Sequence, residues 1–209
     1  MRDLVIIGAG DFGREVAALV ERINDKSPIW NLKGFVDDNE PVGKEIFDYE
    51  VLGGLEYFEE NSNVWVVCSI STCRIREKII GFLDDRGVNF ATLIDPSAEI
   101  FRSSTIGKGS IICSGSIVTV NCSIGEHVIV NLNCTIGHDD IIEDFCTLNP
   151  GVNVSGRVKL MKCTNVGTGT KIIQGKNICE DVTLGAGSVV IKDITEAGVY
   201  VGMPVVKKK

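Results

Sequence analysis

Only two histidines occur in the 209 residues, His127 and His138, and each has acidic company: Glu126 precedes the first, while Asp139 and Asp140 follow the second. A carboxylate beside an imidazole holds one tautomer and stabilises the imidazolium, which is what a general base requires. Adjacency alone does not choose between the two. A second candidate lies near the N-terminus, where Gly8-Ala9-Gly10-Asp11-Phe12-Gly13 has the G-x-G-x-x-G spacing. The backbone N–H groups of such a loop, backed by a helix N-terminus, form a cradle for phosphate. Eight cysteines raise disulfide or zinc chemistry, yet no C-x-x-C pair occurs among them. They read as reduced, cytosolic thiols used as small hydrophobes.

The glycine loop needs a strand before it and a helix after it. Leu4-Val5-Ile6-Ile7 supplies the strand, and Val16, Leu19, Val20 and Ile23 recur at helical spacing behind the loop. Ser27-Pro28 breaks the pattern. A second strand near 32–36 then ends in Asp37-Asp38, where a carboxylate would meet a ribose hydroxyl. Beyond it there is room for strands near 64–67 and 90–93, a helix near 75–83 and one edge strand near 49–55. That is half of a dinucleotide fold, large enough for a mononucleotide and short of a nicotinamide site, so NAD is not expected.

The histidines belong to a different pattern. From Ile94 through Ile100, Ile106, Ile112 and Val118 to Val190, every sixth residue is aliphatic, although only 44% of the chain is hydrophobic. A period of six fits neither a helix nor a strand, so the repeat is itself the structural unit. Three short strands, one per hexad, make each coil of a triangular parallel β-helix, a little over five coils in all. Four places after the aliphatic residue a small one usually follows, as at Ser104, Ser110, Ser116, Cys122, Cys134 and Cys146. Cys134 is therefore expected to point inward and not to act as a nucleophile. Gly109, Gly115, Asn133 and Asn153 are expected to supply positive φ at the corners. Both histidines fall in the outward part of their hexads and are expected to be exposed. Gly156 lies three hexads after His138, on the same corner one coil further along, and offers a free N–H. Gly167 with Gly185, and Thr168 with Ala186, stack into a strip of small residues on another corner, suited to a long extended ligand. A prism with a base on one edge and a groove on another suits a trimer.

Net charge is −7 and the pI about 4.9, which argues against a nucleic-acid or anionic-membrane surface as partner. No apolar run reaches a membrane-spanning length of about 18 residues, and Met1-Arg2-Asp3 lacks the layout of a signal peptide. A cytoplasmic protein is expected. The organisation predicted is a Rossmann-like nucleotide-sugar-binding domain over 1–93, a β-helix over 94–191 and a tail over 192–209 that packs on the last coil.

The glycine loop, Gly34-Phe35-Val36-Asp37-Asp38, Ile136-Gly137-His138-Asp139 and Gly202-Met203-Pro204 together resemble the bacterial sugar acetyltransferases of the PglD and NeuD type, over essentially the whole chain. The resemblance implies a left-handed β-helix and a homotrimer with active sites between subunits. It implies transfer of acetyl from acetyl-CoA to the amino group of a UDP- or dTDP-linked 4-amino-4,6-dideoxy sugar, without metal or NAD. His138 becomes the general base and Asp139 its orienting carboxylate. Gly8, Gly10, Asp11, Phe12, Gly13, Asp37, Asp38 and Ser69 would hold the nucleotide. Thr147, Gly156, Gly167, Thr168, Gly185, Ala186 and Gly187 would lie along CoA. Thr147 stands where some relatives have a second histidine, and Ser69-Ile70-Ser71-Thr72 replaces a glycine-containing loop. An O-acetyltransferase acting on sialic acid would use the same residues, and a non-catalytic scaffold would keep only the hexads. A γ-type carbonic anhydrase needs three histidines per zinc, which two in the chain do not supply.

Overall fold

The computed structural model describes residues 1–208. Its first part is a largely parallel sheet flanked by helices. β1 (Arg2–Ile7) is buried from Leu4 onward because both its faces are covered, which is why it reads as an unbroken apolar run. α1 (Asp11–Lys26) follows, burying Val16, Ala17, Leu19, Val20 and Ile23 along one stripe. β2 (Trp30–Val36), a hairpin of β3 (Glu45–Ile46) and β4 (Tyr49–Gly53), a short α2 (Tyr57–Glu60), β5 (Trp65–Cys68), α3 (Cys73–Asp84) and β6 (Asn89–Phe90) complete the unit. The sheet order is β3-β4-β2-β1-β5-β6. Strand order reverses at β1, and the crevice beyond the carboxyl ends of such strands is where α/β sheets take ligands.

From Leu93–Ile94 to Val189–Val190, short strands, most of two residues, recur every sixth residue, each pairing in parallel with the strand three hexads away. Ile111 faces Ile129, Ile117 faces Thr135 and Ser123 faces Ile141. The three ladders form the three faces of a β-helix. Its interior holds the hexad residues, from Ile112, Val118, Ile136 and Leu148 to Val190, all fully buried, whereas Ile94 at the open first edge is 36% exposed.

Corner residues adopt positive φ in three columns spaced by one coil: Gly109, His127, Phe145, Cys163 and Asp181; Asn121, Asp139, Arg157 and Gly175; Gly115, Asn133, Gly151, Gly169 and Gly187. Asn153 departs from expectation. It lies within a strand, and its amide donates to Thr135 Oγ1. The small residues brace the corners from inside. Ser110 Oγ donates to Gly125 O and accepts from Val128 N, and Ser116 Oγ does the same with Asn131 O and Cys134 N. The thiols follow suit, Cys122 donating to Gly137 O and Cys146 to Met161 O. Burial raises the Cys134 and Cys146 thiols to about 11 and about 12, which makes them inert hydrogen-bonding fillers.

The N-terminal unit is seated on the β-helix. α1 covers one face, so the outward residues Ile111 and Ile129 are buried and share a core with Leu4, Ala17 and Leu19. At the corner of the first column α3 adds Arg76, only 1% exposed, which donates to the carbonyls of His127, Phe145, Ile70 and Ser71 and to Thr147 Oγ1. Arg74 pairs with Asp181, and Lys162 with Glu77, across the same seam. This docking overturns the expectation that both histidines are exposed. His127 is 2% exposed, stacked on Phe145 and met edge-on by Phe90, and neither ring nitrogen has a hydrogen-bond partner. Desolvation lowers it to about 4, so it is a neutral packing residue. At the other end, Gly198–Val201 extends one face of the β-helix by pairing with Val182–Leu184, and Ile194 bridges to Ile178.

Candidate active site

With His127 sealed, His138 is the one histidine open to solvent. It stands on the corner of the second column, its side chain 45% exposed, with Nδ1 2.8 Å from Asp139 Oδ2. The positive φ of Asp139 turns that carboxylate back beside its own neighbour. Asn121, one coil earlier, donates its amide to Asp139 Oδ1. The bond from His138 lowers the Asp139 carboxyl, with Asn121 adding to it. An ionised acceptor at Nδ1 puts the proton there and leaves Nε2 with its lone pair free. Gly156 makes room for the ring. A β-carbon at Gly156 would fall 2.5 Å from His138 Nε2. Gly156 is buried beneath the imidazole, and among the described residues its N–H donates to no acceptor.

The strip of small residues occupies the third column's corner. Gly167 packs directly on the Gly185–Ala186 backbone, where a β-carbon would lie 2.6 Å from Ala186 N. Thr168, Ala186 and Gly187 are exposed along it, and Gly185 is covered in part by Val201 of the tail. Thr147 does not belong with them. It is 1% exposed, and its hydroxyl donates to Ser71 O while accepting from Arg76. It is part of the seam between the two units, because α3 docks over its face.

The nucleotide candidates gather at the switch point. Gly8, Asp37, Asp38, Ile70 and Ile75 line one crevice, and Gly10, Asp11, Phe12, Gly13, Ser69 and Ser71 its continuation. Gly8 takes a φ of +95°, and at Gly13 a β-carbon would collide with the Gly8 carbonyl, so the loop can close only with glycine at both. Asp37 Oδ2 accepts from Ala9 N and Oδ1 from Asn39 N, while Asp38 Oδ1 accepts from Leu55 N. Ser69 donates to the carbonyls of Ile7 and Gly8. These side chains hold the walls of the crevice as well as lining it. Asp11 opens α1 and is ion-paired with Arg14.

Two residues escaped the sequence reading. Arg76 carried no signal, since its partners on the β-helix lie 51 to 71 residues away and an arginine in an amphipathic helix reads as solvated. Asp140 carried one: it sits four residues after Ile136, in the slot that elsewhere holds serine or cysteine, and is fully buried. Among the described residues no cluster of three or more His, Cys, Asp or Glu could hold a metal, and no helix is long and apolar enough to cross a membrane.

Residues 3–83 match the family described as the PglD N-terminal domain. A curated relative, the GDP-perosamine N-acetyltransferase of Escherichia coli O157:H7, is 28% identical over 127 residues. That match takes in 58% of this chain and 55% of the relative, so it spans about half the relative's length. Among solved structures, the acetyltransferase domain of PglB from Neisseria gonorrhoeae superposes with a TM-score of 0.91 at 26% identity, covering 100% of both chains. The same domain in complex with acetyl coenzyme A gives 0.90 over 99% of each. PerB from Caulobacter crescentus, in complex with CoA and GDP-perosamine, gives 0.90 at 25% identity over 99% of this chain and 97% of its own. Residues 3–83 are thus similar to the PglD N-terminal domain, and the chain as a whole shares the architecture of these acetyltransferase structures, an α/β unit followed by a left-handed β-helix.

Proposed function

We propose that the protein transfers acetyl from acetyl-CoA to the amino group of a nucleotide-linked 4-amino-4,6-dideoxy sugar. The observation that carries this reading is the corner where His138, oriented by Asp139, stands over the unpartnered Gly156 N–H. In the mechanism proposed, Nε2 of His138 takes a proton from the attacking amine as nitrogen adds to the thioester carbonyl. The oxyanion that forms accepts from Gly156 N–H, and its collapse releases CoA, whose sulfur takes the proton back from His138. Placement supplies much of the acceleration, since a neutral amine is already a good nucleophile. CoA would run along Gly167, Thr168, Gly185, Ala186 and Gly187, and the nucleotide would occupy the crevice of Gly8, Gly10, Asp11, Phe12, Gly13, Asp37, Asp38 and Ser69.

The base, the small-residue strip and the docking seam of the N-terminal unit occupy three different corners of one prism. That division supports a homotrimer in which one chain's base meets a neighbour's strip. The proposed co-substrates, acetyl-CoA and a nucleotide sugar, favour a cytoplasmic enzyme. UDP and dTDP remain the proposed nucleotides, and the GDP-perosamine held by PerB adds GDP to the panel.

The test is thiol release from acetyl-CoA with 4-amino sugars linked to UDP, dTDP or GDP, and sialic acid as the hydroxyl acceptor. His138→Asn should lower kcat about 10² to 10⁴-fold with the fold intact. A folded His138→Asn protein with undiminished transfer would remove the base, and acceptance of sialic acid alone would replace N- with O-acetylation.

A further inference from the structure

Asp140 is 0% exposed, and only half of its carboxyl is accounted for. Oδ1 accepts from Val158 N at 2.8 Å, but Oδ2, equally buried, has no partner. The slot it occupies defines what is missing. Ser104, Ser110 and Ser116 each accept from the N–H one coil on and donate to the carbonyl three places short of it. Asp140 makes the accepting half of that pair. The donating half would go to Ser155 O, which receives no hydrogen bond among the described residues. An ionised carboxylate has no hydrogen to give and could not complete that pair.

We infer that Asp140 is a neutral carboxylic acid whose Oδ2–H donates to the Ser155 carbonyl, and that it is the positioning residue for the Ser155–Gly156 peptide beneath His138. In a trans peptide the N–H points away from the C=O. Two neighbouring corners show the consequence. The Gly125 carbonyl turns inward to Ser110 while Glu126 N–H turns outward to Asp144 Oδ1, and the Asn131 carbonyl turns inward to Ser116 while Leu132 N–H turns outward to Asn131 Oδ1. An inward Ser155 carbonyl aims Gly156 N–H outward in the same way, at the corner of His138. A hydrogen bond to that carbonyl also polarises the peptide and strengthens its N–H as a donor. Burial, which opposes ionisation, pushes the Asp140 carboxyl up to about 7, outweighing the backbone amides of Val158 and Gly137, which favour the charged form. The catalytic consequence rests on the acetyl-transfer reading; the protonation state does not.

Infrared difference spectra at neutral pH, wild type against Asp140→Asn with labelled aspartate, should contain one carboxylic-acid C=O stretch. Its absence would overturn the inference whatever the enzyme does. Asp140→Asn keeps one donor and one acceptor in place, so kcat should stay within about 2-fold of wild type, well inside the worth of one hydrogen bond. Asp140→Val removes both. Valine fits, since Val158 fills the same slot one coil later, and kcat should fall about 3- to 10-fold at unchanged KM for both substrates. Asp140→Ser should recover most of that loss. An Asn variant as slow as the Val variant, or a Val variant indistinguishable from wild type, refutes the positioning role. A wild-type protein that transfers no acetyl sinks the reading of the reaction instead, with the infrared band still deciding the state of Asp140.

Discussion

Replacing His127 by phenylalanine should remove much of this protein's sensitivity to mild acid. In the native state His127 is sealed between Phe90 and Phe145 with no hydrogen-bond partner, and its imidazole is held at about 4 against an ordinary 6.5. A depressed base binds its proton in the unfolded chain first. Stability is therefore intact above the unfolded value and falls as pH drops from 6.5 towards 4, where the native imidazole also charges. The full gap corresponds to about 3 kcal/mol. Between pH 7 and about pH 4.5 the loss works out at about 2 kcal/mol, a substantial share of the roughly 5 to 15 typical of a folded domain. Asp140, with its raised carboxyl, acts in the opposite sense over the same range, so the comparison must be between two proteins and not along one curve. Phenylalanine already occupies the next position of the column as Phe145, and it keeps the stacking. Urea unfolding of wild type and His127→Phe at the two pH values gives the double difference. A wild-type protein that loses no more stability than the variant would show that His127 is charged or solvated in the native state.

Gly156→Ala should lower kcat at least about 10-fold while leaving the thermal midpoint nearly unchanged, because the atoms nearest the new methyl belong to the half-exposed His138 ring, which it pushes off its line. A fully active variant would mean that the ring is free to reorient. Arg76→Met leaves the carbonyls of His127 and Phe145 without their donor, and should cost about 3 kcal/mol or more in urea unfolding. An unchanged midpoint would contradict the view that this guanidinium holds the two units together.

The hexads made the β-helix legible because each inward aliphatic residue answers to a local rule, one side chain per short strand. The same arithmetic found Gly156 from His138, since three hexads return the chain to the same corner. The N-terminal unit declared itself through its glycine spacing and the run from Leu4 to Ile7. What stayed hidden depends on how the two units meet. The repeat assigns His127 an outward position, and it is outward with respect to the prism; α3 and Phe90 then cover it. Thr147 was misjudged for the same reason. Arg76 belongs chiefly to that seam, and its partners on the β-helix are ones no local pattern could supply. Asp140 was visible as a violation of the repeat, an acid in a serine slot, and needed only to be asked what a serine does there.

The columns of positive φ set a unit on changes of length. Adding or removing three hexads together inserts or deletes one storey of the β-helix and returns every later side chain to its own face. A change of one hexad turns all that follows by one corner, so a shift placed between Asp139 and Gly156 would bring the glycine out from under His138 while every strand still found a partner. A lineage of such chains can grow or shrink by whole storeys, but within that interval a single hexad separates fold from site.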